Sequence, residues 1–137
     1  MTKVIGLDIG DKRIGVATGD SVVAIAFPRE ILERRGGEAE AKLLEMIKKE
    51  GVSLVIVGLP LDARGGETPQ CAKVRRFCER LTKRVSIDIK FVDEHLSSED
   101  AKQRLSEIGS STARSKTGVD AAAAAIILQS YFDSGGR

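Results

Sequence analysis

Acidic residues at the ends of predicted elements are the side chains of this sequence best suited to chemistry. Four stand out: Asp8 at the end of the first strand, Asp93 and Glu94 at the end of the last strand, and Asp120 at the start of the last helix. Taken singly, each also fits a solvated element end or a partner for a helix dipole. Gathered at one point, they would repel each other and lose solvation unless a cation neutralised them.

Such a cluster would offer only oxygen atoms as metal ligands, and this indicates which cation it would bind. Carboxylate oxygens favour Mg²⁺ or Mn²⁺ over zinc. Two such ions about 4 Å apart can activate water and stabilise the leaving oxygen of a phosphodiester. The acidic residues therefore permit a metal-dependent nuclease site, provided that the fold brings them together.

Basic side chains are concentrated on one predicted helix. Six of the twelve positions from 73 to 84 are Lys or Arg, and four of these share a helical face. A long basic face can simply be solvated, but beside a carboxylate site it favours contact with phosphate. The glycine pair at 65–66 offers backbone amides to the same phosphates. The predicted nucleic-acid contacts are Lys12, Arg13, Arg64, Lys73, Arg76, Arg80, Lys83, Arg114 and Lys116.

Aromatic residues make up only 4% of the sequence, and tryptophan is absent. This composition argues against recognition by extensive base stacking. We therefore expect binding to be led by the charge and shape of the nucleic-acid backbone and to weaken as salt rises.

The hydrophobic periodicity predicts the elements that must position these residues. Strands are predicted at residues 3–8, 13–18, 22–32, 53–58 and 85–93, and helices at 39–49, from 69 onward, at 97–108 and at 119–132. Three strands followed by alternating helices and strands indicate a mixed five-stranded sheet with helices on its faces. We expect a single α/β domain over residues 1–137, with a disordered tail at 134–137.

Composition excludes several classes of protein. The 137 residues are 42% hydrophobic and 31% charged, and the net charge of +2 by itself predicts no partner. The longest apolar run, residues 121–128, is far shorter than the roughly 20 residues that cross a bilayer. The amino terminus lacks the pattern of a signal peptide, so we expect a cytoplasmic protein without a membrane partner. Cys71 and Cys78 would lie about 10 Å apart on one helix, too far for a disulfide.

Four segments resemble the signature segments of the YqgF family, whose members are also described as RuvX-like, as Holliday-junction resolvases or as pre-16S rRNA nucleases. They are GLDIGDKRIGVA at 6–17, VGLPLDARGGET at 57–68, VDEHLSSEDA at 92–101 and KTGVDAAAAAIIL at 116–128. The resemblance extends from about residue 2 to residue 132, and the four segments occur in the order typical of the family.

The resemblance implies an RNase H-like fold and a two-metal nuclease that acts on the 5′ end of pre-16S rRNA. It places the catalytic and metal-binding acids on Asp8, Glu94 and Asp120, with Mg²⁺ or Mn²⁺ as the cofactor. Asp93 is a lesser candidate, since adjacent strand residues point to opposite sides of a sheet. His95, where the family usually has Arg, is another lesser candidate because histidine can contact phosphate when protonated or carry a proton.

Three other functions remain open at this point. A Holliday-junction resolvase would cut four-way DNA junctions and would need two active sites, hence a symmetric dimer, whereas the sequence itself fits a monomer or a homodimer. A non-catalytic module would bind nucleic acid and keep the acids for folding. An actin-like ATPase also opens with a Gly-x-Asp-x-Gly strand, but it needs two such domains, and the sequence has no Walker-type P-loop. The expected partner is structured RNA or junction DNA.

Overall fold

The computed structural model describes residues 2–94 and 121–135, and the core of this part is a five-stranded mixed sheet. Its strands are β1 (Lys3–Ile9), β2 (Arg13–Asp20), β3 (Phe27–Glu33), β4 (Leu54–Leu59) and β5 (Asp88–Asp93). Its helices are α1 (Glu38–Glu50), α2 (Pro69–Thr82) and α3 (Ala121–Asp133), and a 3₁₀ turn at Arg35–Gly37 precedes α1.

The strand order β3-β2-β1-β4-β5 places β1 at the centre of the sheet. β1 pairs antiparallel with β2 and parallel with β4, β2 pairs antiparallel with β3, and β4 pairs parallel with β5. Four strands therefore end on the same side of the sheet. We call this side the carboxyl edge, marked by Ile9, Glu33, Leu59 and Asp93.

Helices cover both faces of the sheet, which confirms the predicted mixed α/β architecture. Ile5 and Leu7 of β1 belong to the core with α1 and α2, whereas Val4 belongs to the core with α3. The run in β4 is buried on both faces, as predicted for a central strand, because Val55 and Ile56 are both inaccessible to solvent and face opposite cores.

Glycine and alanine allow α3 to lie close to β1. A Cβ atom added at Gly6 would be 2.8 Å from the Cβ of Leu128 and 2.9 Å from the carbonyl oxygen of Ala124. Ala124 and Ala125 are themselves fully buried against the sheet. The alanine run thus has the structural role expected of small side chains, since it brings the helix backbone onto the sheet.

Local signals in the sequence predicted most helix ends correctly. Thr68 caps α2 by accepting a hydrogen bond from the Cys71 amide at 3.4 Å, and Pro69 follows as the first helical residue. Gly51 ends α1 with a φ of 65°, a left-handed conformation that favours glycine. Both Cys71 and Cys78 are free and buried, as expected, and burial raises the pKa of the Cys78 thiol to about 12.

The third strand begins later than predicted. Residues 22–26 were expected in it, but the strand starts at Phe27. The Asp20 carboxylate accepts the backbone amides of Val22 and Val23 at 2.9 and 2.8 Å, which forms a turn instead. The buried Gln129 side chain then holds the segment from α3, because its Oε1 accepts the Ala26 amide at 2.9 Å.

Two backbone hydrogen bonds close the end of α3. The Ser134 amide donates to the Ser130 carbonyl and the Gly135 amide to the Phe132 carbonyl, both at 3.1 Å, so these two residues close the helix. Residues 136–137 and the predicted helix at 97–108 lie outside the described residues. In the described ranges, no helix is long and apolar enough to cross a membrane.

We predict that Gly6→Ala destabilises the protein by about 1–3 kcal/mol, because neither the Ala124 carbonyl nor the Leu128 Cβ can move without shifting α3. Gly58→Ala is the matched control. Its added Cβ would meet the end of the flexible Ile127 side chain, 2.6 Å away, so its cost is smaller. Urea denaturation of both variants measures the difference, and an equal or smaller loss for Gly6→Ala would contradict this packing.

Glu50 joins α1 to two strands through ion pairs. Its carboxylate lies 2.6 Å from Arg29 and 3.0 Å from Lys3. The hydrogen bond from Arg29, followed by that from Lys3, lowers the pKa of Glu50 from 4.5 to about 2. Since the depressed pKa belongs to the folded state, these pairs stabilise the protein above about pH 4.5.

Lowering the pH from about 4.5 to 2 should therefore remove about 1–2 kcal/mol of stability, an amount reduced by solvent screening. Glu50→Gln should flatten this part of the pH–stability curve. Glu45→Gln, at an exposed position on the same helix, should leave the curve unchanged. Chemical denaturation across this pH range provides the measurement, and an unchanged slope in Glu50→Gln would refute the assignment.

Candidate active site at the carboxyl edge

Asp8 is a buried carboxylate at the carboxyl edge of the central strand. It is the second-last residue of β1 and only 6% exposed. Side chains alternate along a strand, so Asp8 shares the α3 side of the sheet with Val4 and Gly6. Strand pairing on both sides of β1 fixes its backbone, since Asp8 itself pairs with Gly15 and its neighbour Leu7 pairs with Val57.

Glu94 lies on the same side of the sheet as Asp8. Its amide donates to the Leu59 carbonyl at 3.0 Å, which holds the residue immediately after β5. Its Cβ lies 3.5 Å from the position that a Cβ at Gly58 would occupy, and Ile127 of α3 contacts that same position. Extending the β1–β4 register by one residue beyond Leu7 and Val57 puts Gly58 beside Asp8, so the β4 residue between Asp8 and Glu94 has no side chain.

Asp93 occupies the opposite side of the sheet. It pairs with Leu59 at the end of β5, and it follows Ile89 and Phe91 in the alternation. Those two residues pack against the core that contains α1 and α2. The two adjacent acids therefore diverge, and it is Glu94 that shares the α3 side with Asp8.

The direction of α3 determines which of its ends meets the carboxyl edge. Leu128 packs over Gly6, and Phe132, one turn later, packs over Gly19 of β2, toward the amino end of β1. The helix therefore runs antiparallel to β1. Its first residue, Ala121, is buried and lies toward the carboxyl edge, where β1 ends with Asp8 and Ile9.

Two residues predicted for the catalytic site, Asp120 and the lesser candidate His95, lie outside the described residues. Within residues 2–94 and 121–135, no three metal-binding side chains form a cluster that could hold an ion. The described part of the chain thus supplies Asp8 and Glu94 on one side of the sheet, together with the helix that Asp120 precedes in the sequence.

The turn between β1 and β2 is joined to the start of α2. The Asp11 carboxylate accepts a hydrogen bond from Gln70 at 3.2 Å and lies 3.6 Å from the Lys73 ammonium. The Gln70 hydrogen bond, followed by the charge of Lys73, holds the pKa of Asp11 below its ordinary value. Lys73 and the exposed Lys12 therefore lie beside the strand end that carries Asp8.

The predicted basic face of α2 is not all at this edge. The helix runs away from the carboxyl edge, and Lys83 lies about 15 Å beyond Lys73 along its axis. Arg76 is exposed on the same helix. Two other residues predicted to bind nucleic acid form ion pairs within the protein. Arg80 lies 3.3 Å from Glu40 of α1, and Arg13 lies 3.0 Å from Glu33.

The loop around Arg64 is more constrained than its glycines suggested. Its backbone amides were expected to be available to phosphate, but the Asp62 carboxylate accepts those of Arg64 and Gly66 at 2.9 and 2.8 Å. The exposed Arg64 side chain is what this loop presents to solvent. The two remaining predicted contacts, Arg114 and Lys116, lie outside the described residues.

Arg34, which follows β3 at the carboxyl edge, is not among the residues predicted for the site. Its Nη1 donates to the Gly10 carbonyl at 2.6 Å, and its guanidinium lies over the Phe77 ring, 5.1 Å from the centroid. Nothing in the local pattern distinguished this residue from the polar connection around it. Only the fold brings it to the turn that follows Asp8.

Comparison with known proteins gives this arrangement a context. Residues 2–134 match the family model RuvX: Holliday junction resolvase. A protein of Chloroflexus aurantiacus (strain ATCC 29366 / DSM 635 / J-10-fl) is 39% identical over 96% of this chain and 86% of its own length. One of Escherichia coli (strain SE11) is 38% identical over 96% of both chains. Both relatives carry the name "Putative pre-16S rRNA nuclease".

Solved structures show the same fold at low sequence identity. Thermus thermophilus RuvC in complex with a Holliday-junction substrate has a TM-score of 0.64 and 17% identity, over 98% of this chain and 96% of that one. Fowlpox virus resolvase, in complex with Holliday-junction DNA, has a TM-score of 0.59 and 15% identity, over 99% and 100%. These likenesses confirm the RNase H-like fold, and the match over nearly the whole sequence shows that this chain belongs to the RuvX (YqgF) family.

Proposed function

We propose that this protein is a metal-dependent endonuclease that hydrolyses phosphodiester bonds in the maturation of the 5′ end of pre-16S rRNA. The observation that carries the proposal is the burial of Asp8 at the carboxyl edge, with Glu94 on the same side of the sheet. The names of the relatives supply the substrate. Family membership supports nuclease chemistry. A fold alone does not establish an activity, so the proposal rests on the site residues.

The residues present fit divalent cations. A carboxylate as buried as Asp8 loses solvation, and a cation compensates for that loss. Asp8 and Glu94 offer only oxygen donors, which suit Mg²⁺ or Mn²⁺. When bound, a pair of such ions would lower the pKa of water and stabilise negative charge on the leaving oxygen.

We propose Asp8, Glu94 and Asp120 as the residues that hold the ions. Asp120 is covalently bonded to Ala121, which is buried toward the carboxyl edge, and this connection supports its place in the set. Asp8 would be the most rigid ligand because its strand is paired on both sides. Asp93 stays a lesser candidate, since its strand position faces the other side of the sheet. His95 stays one as well.

The basic residues at the carboxyl edge would position the substrate. Lys12 lies in the β1–β2 turn, and Lys73 lies 3.6 Å from Asp11 of the same turn, so both could bind phosphates near the scissile bond. Neither side chain reads a base sequence, so we expect recognition of backbone charge and folded shape. Lys83 is too far along α2 to share that role.

A Holliday-junction resolvase is the second candidate function. The RuvC and fowlpox structures that share this fold are bound to junction DNA, which favours it. Cutting both sides of a junction would require a homodimer. A direct comparison of a pre-rRNA 5′ leader with a synthetic four-way junction separates the two candidates.

We predict that Asp8→Asn lowers cleavage in Mg²⁺ or Mn²⁺ by more than about 100-fold, because it removes one charged ligand, while substrate binding and fold are kept. Asp88→Asn, at an exposed position at the other end of the sheet, is the matched control and should cleave like the wild type. Purified proteins should be assayed on both substrates side by side. Retained cleavage by Asp8→Asn would refute the metal site, and binding without cleavage by the wild type would favour the non-catalytic module.

We further predict that raising the salt concentration weakens binding steeply. Lys12→Gln should lower the slope of log affinity against log salt by about one, since it removes one phosphate contact. Lys83→Gln removes the same charge far from the edge and should change the slope less. Fluorescence anisotropy of labelled RNA in a salt series provides the measurement. Equal effects of the two variants would contradict substrate binding at the carboxyl edge.

A further inference from the structure

Arg34 differs from every other arginine in the described ranges. Arg13, Arg34 and Arg75 are the partly buried ones, and the first and last are paired with Glu33 and Glu67. Arg34 forms no close ion pair in those ranges: its hydrogen bond goes to a neutral carbonyl, and its nearest acidic influence is Asp11, whose pKa its charge helps to lower. A partly buried guanidinium without a close carboxylate loses solvation, and hydrogen bonds to an anionic ligand would compensate for that loss.

Arg34 shares a cavity of about 270 Å³ with a second arginine, Arg80. The two guanidinium groups lie 5.1 and 5.7 Å from the centre of the same buried Phe77 ring. Glu40, paired with Arg80, is the acidic residue among those that line the cavity. The cavity therefore carries a net positive charge, and the ring fixes both guanidinium groups without neutralising them.

The position of this cavity relates it to the candidate active site. Arg34 holds the carbonyl of Gly10, which lies two residues beyond Asp8 and about 7 Å farther along the chain. Phe77 belongs to the core on the α1 and α2 side of the sheet, whereas Asp8 faces α3. The cavity and Asp8 thus lie on opposite sides of the same edge, and a nucleic acid laid across that edge would contact both.

We propose that Arg34 and Arg80 form a phosphate-binding subsite for the nucleic-acid backbone, separated from the scissile bond by the carboxyl edge. The proposal rests on the proposed function, because that function supplies the polyanion. Arginine is suited to this role because its planar group donates several hydrogen bonds to one phosphate. Four donors of Arg34 remain after its bond to Gly10.

The first test measures binding in EDTA, which would prevent cleavage by a metal-dependent nuclease. Fluorescence anisotropy with a labelled RNA hairpin compares the wild type with Arg34→Gln, which should bind about 5- to 10-fold more weakly and show a salt slope lower by about one. Arg84→Gln removes the same charge from an exposed position at the far end of α2 and should stay within about twofold of the wild type. Unchanged binding by a folded Arg34→Gln would overturn the subsite.

The second test does not depend on the stability of the Arg34 variant. Glu40→Gln frees Arg80 and should tighten RNA binding by about 3-fold or more. Glu45→Gln, at an exposed position on the same helix, makes the same change in net charge and should have a smaller effect. Equal tightening by the two variants would show only general electrostatics and would overturn the proposal.

A third arm distinguishes a polymer phosphate from a free one. Inorganic phosphate at constant ionic strength should leave the wild-type affinity for RNA unchanged. Displacement of RNA by phosphate that disappears in Arg34→Gln would mark a free-phosphate site and overturn the proposal. All three experiments measure binding alone. They can therefore confirm the subsite even if the wild type does not cleave RNA, and they can reject the subsite even if it does.

Discussion

The close contact between α3 and β1 is the constraint on which the rest of the candidate site depends. Gly6 leaves no room for a side chain under Ala124 and Leu128, so the helix backbone lies directly on the central strand. That contact sets the direction of the helix and brings its buried first residue toward the carboxyl edge. Asp8 is buried on this same side of the sheet, where a cation would compensate for its lost solvation.

The carboxyl edge of the sheet also determines where the charged side chains lie. Strands end and helices begin at this edge, so acidic and basic residues from distant parts of the sequence are brought to it. The acids on the α3 side and the arginines on the α2 side are separated by the sheet. Such a division allows cations and phosphate contacts to coexist without the arginines neutralising the acids.

Much of the fold could be predicted from the sequence because its signals are local. Periodicity predicted the five strands, Thr68 and Gly51 marked helix ends, and a continuous apolar run marked β4. Alternation along β5 predicted that only one of Asp93 and Glu94 faces the site, and the structure places the two on opposite sides of the sheet. The starts of β3 and β5 were predicted too early, since these strands begin at Phe27 and Asp88 rather than at residues 22 and 85. In the first case, the Asp20 carboxylate forms a turn before the strand.

Other features of the site had no local signal. The glycine pair at 65–66 predicted backbone amides available to phosphate, but the Asp62 carboxylate accepts hydrogen bonds from the amides of Arg64 and Gly66. Arg34 reaches Gly10 from 24 residues away, which periodicity cannot show. The length of α2 carries Lys83 away from the edge, although helical spacing alone grouped it with Lys73.

A crystal grown with manganese would test the metal site at Asp8 directly, because anomalous scattering locates each ion. We predict ions within about 2.2 Å of the Asp8 carboxylate, with Glu94 and Asp120 among the other ligands. Ions bound elsewhere, or Asp120 on the far side of the molecule from Asp8, would contradict it.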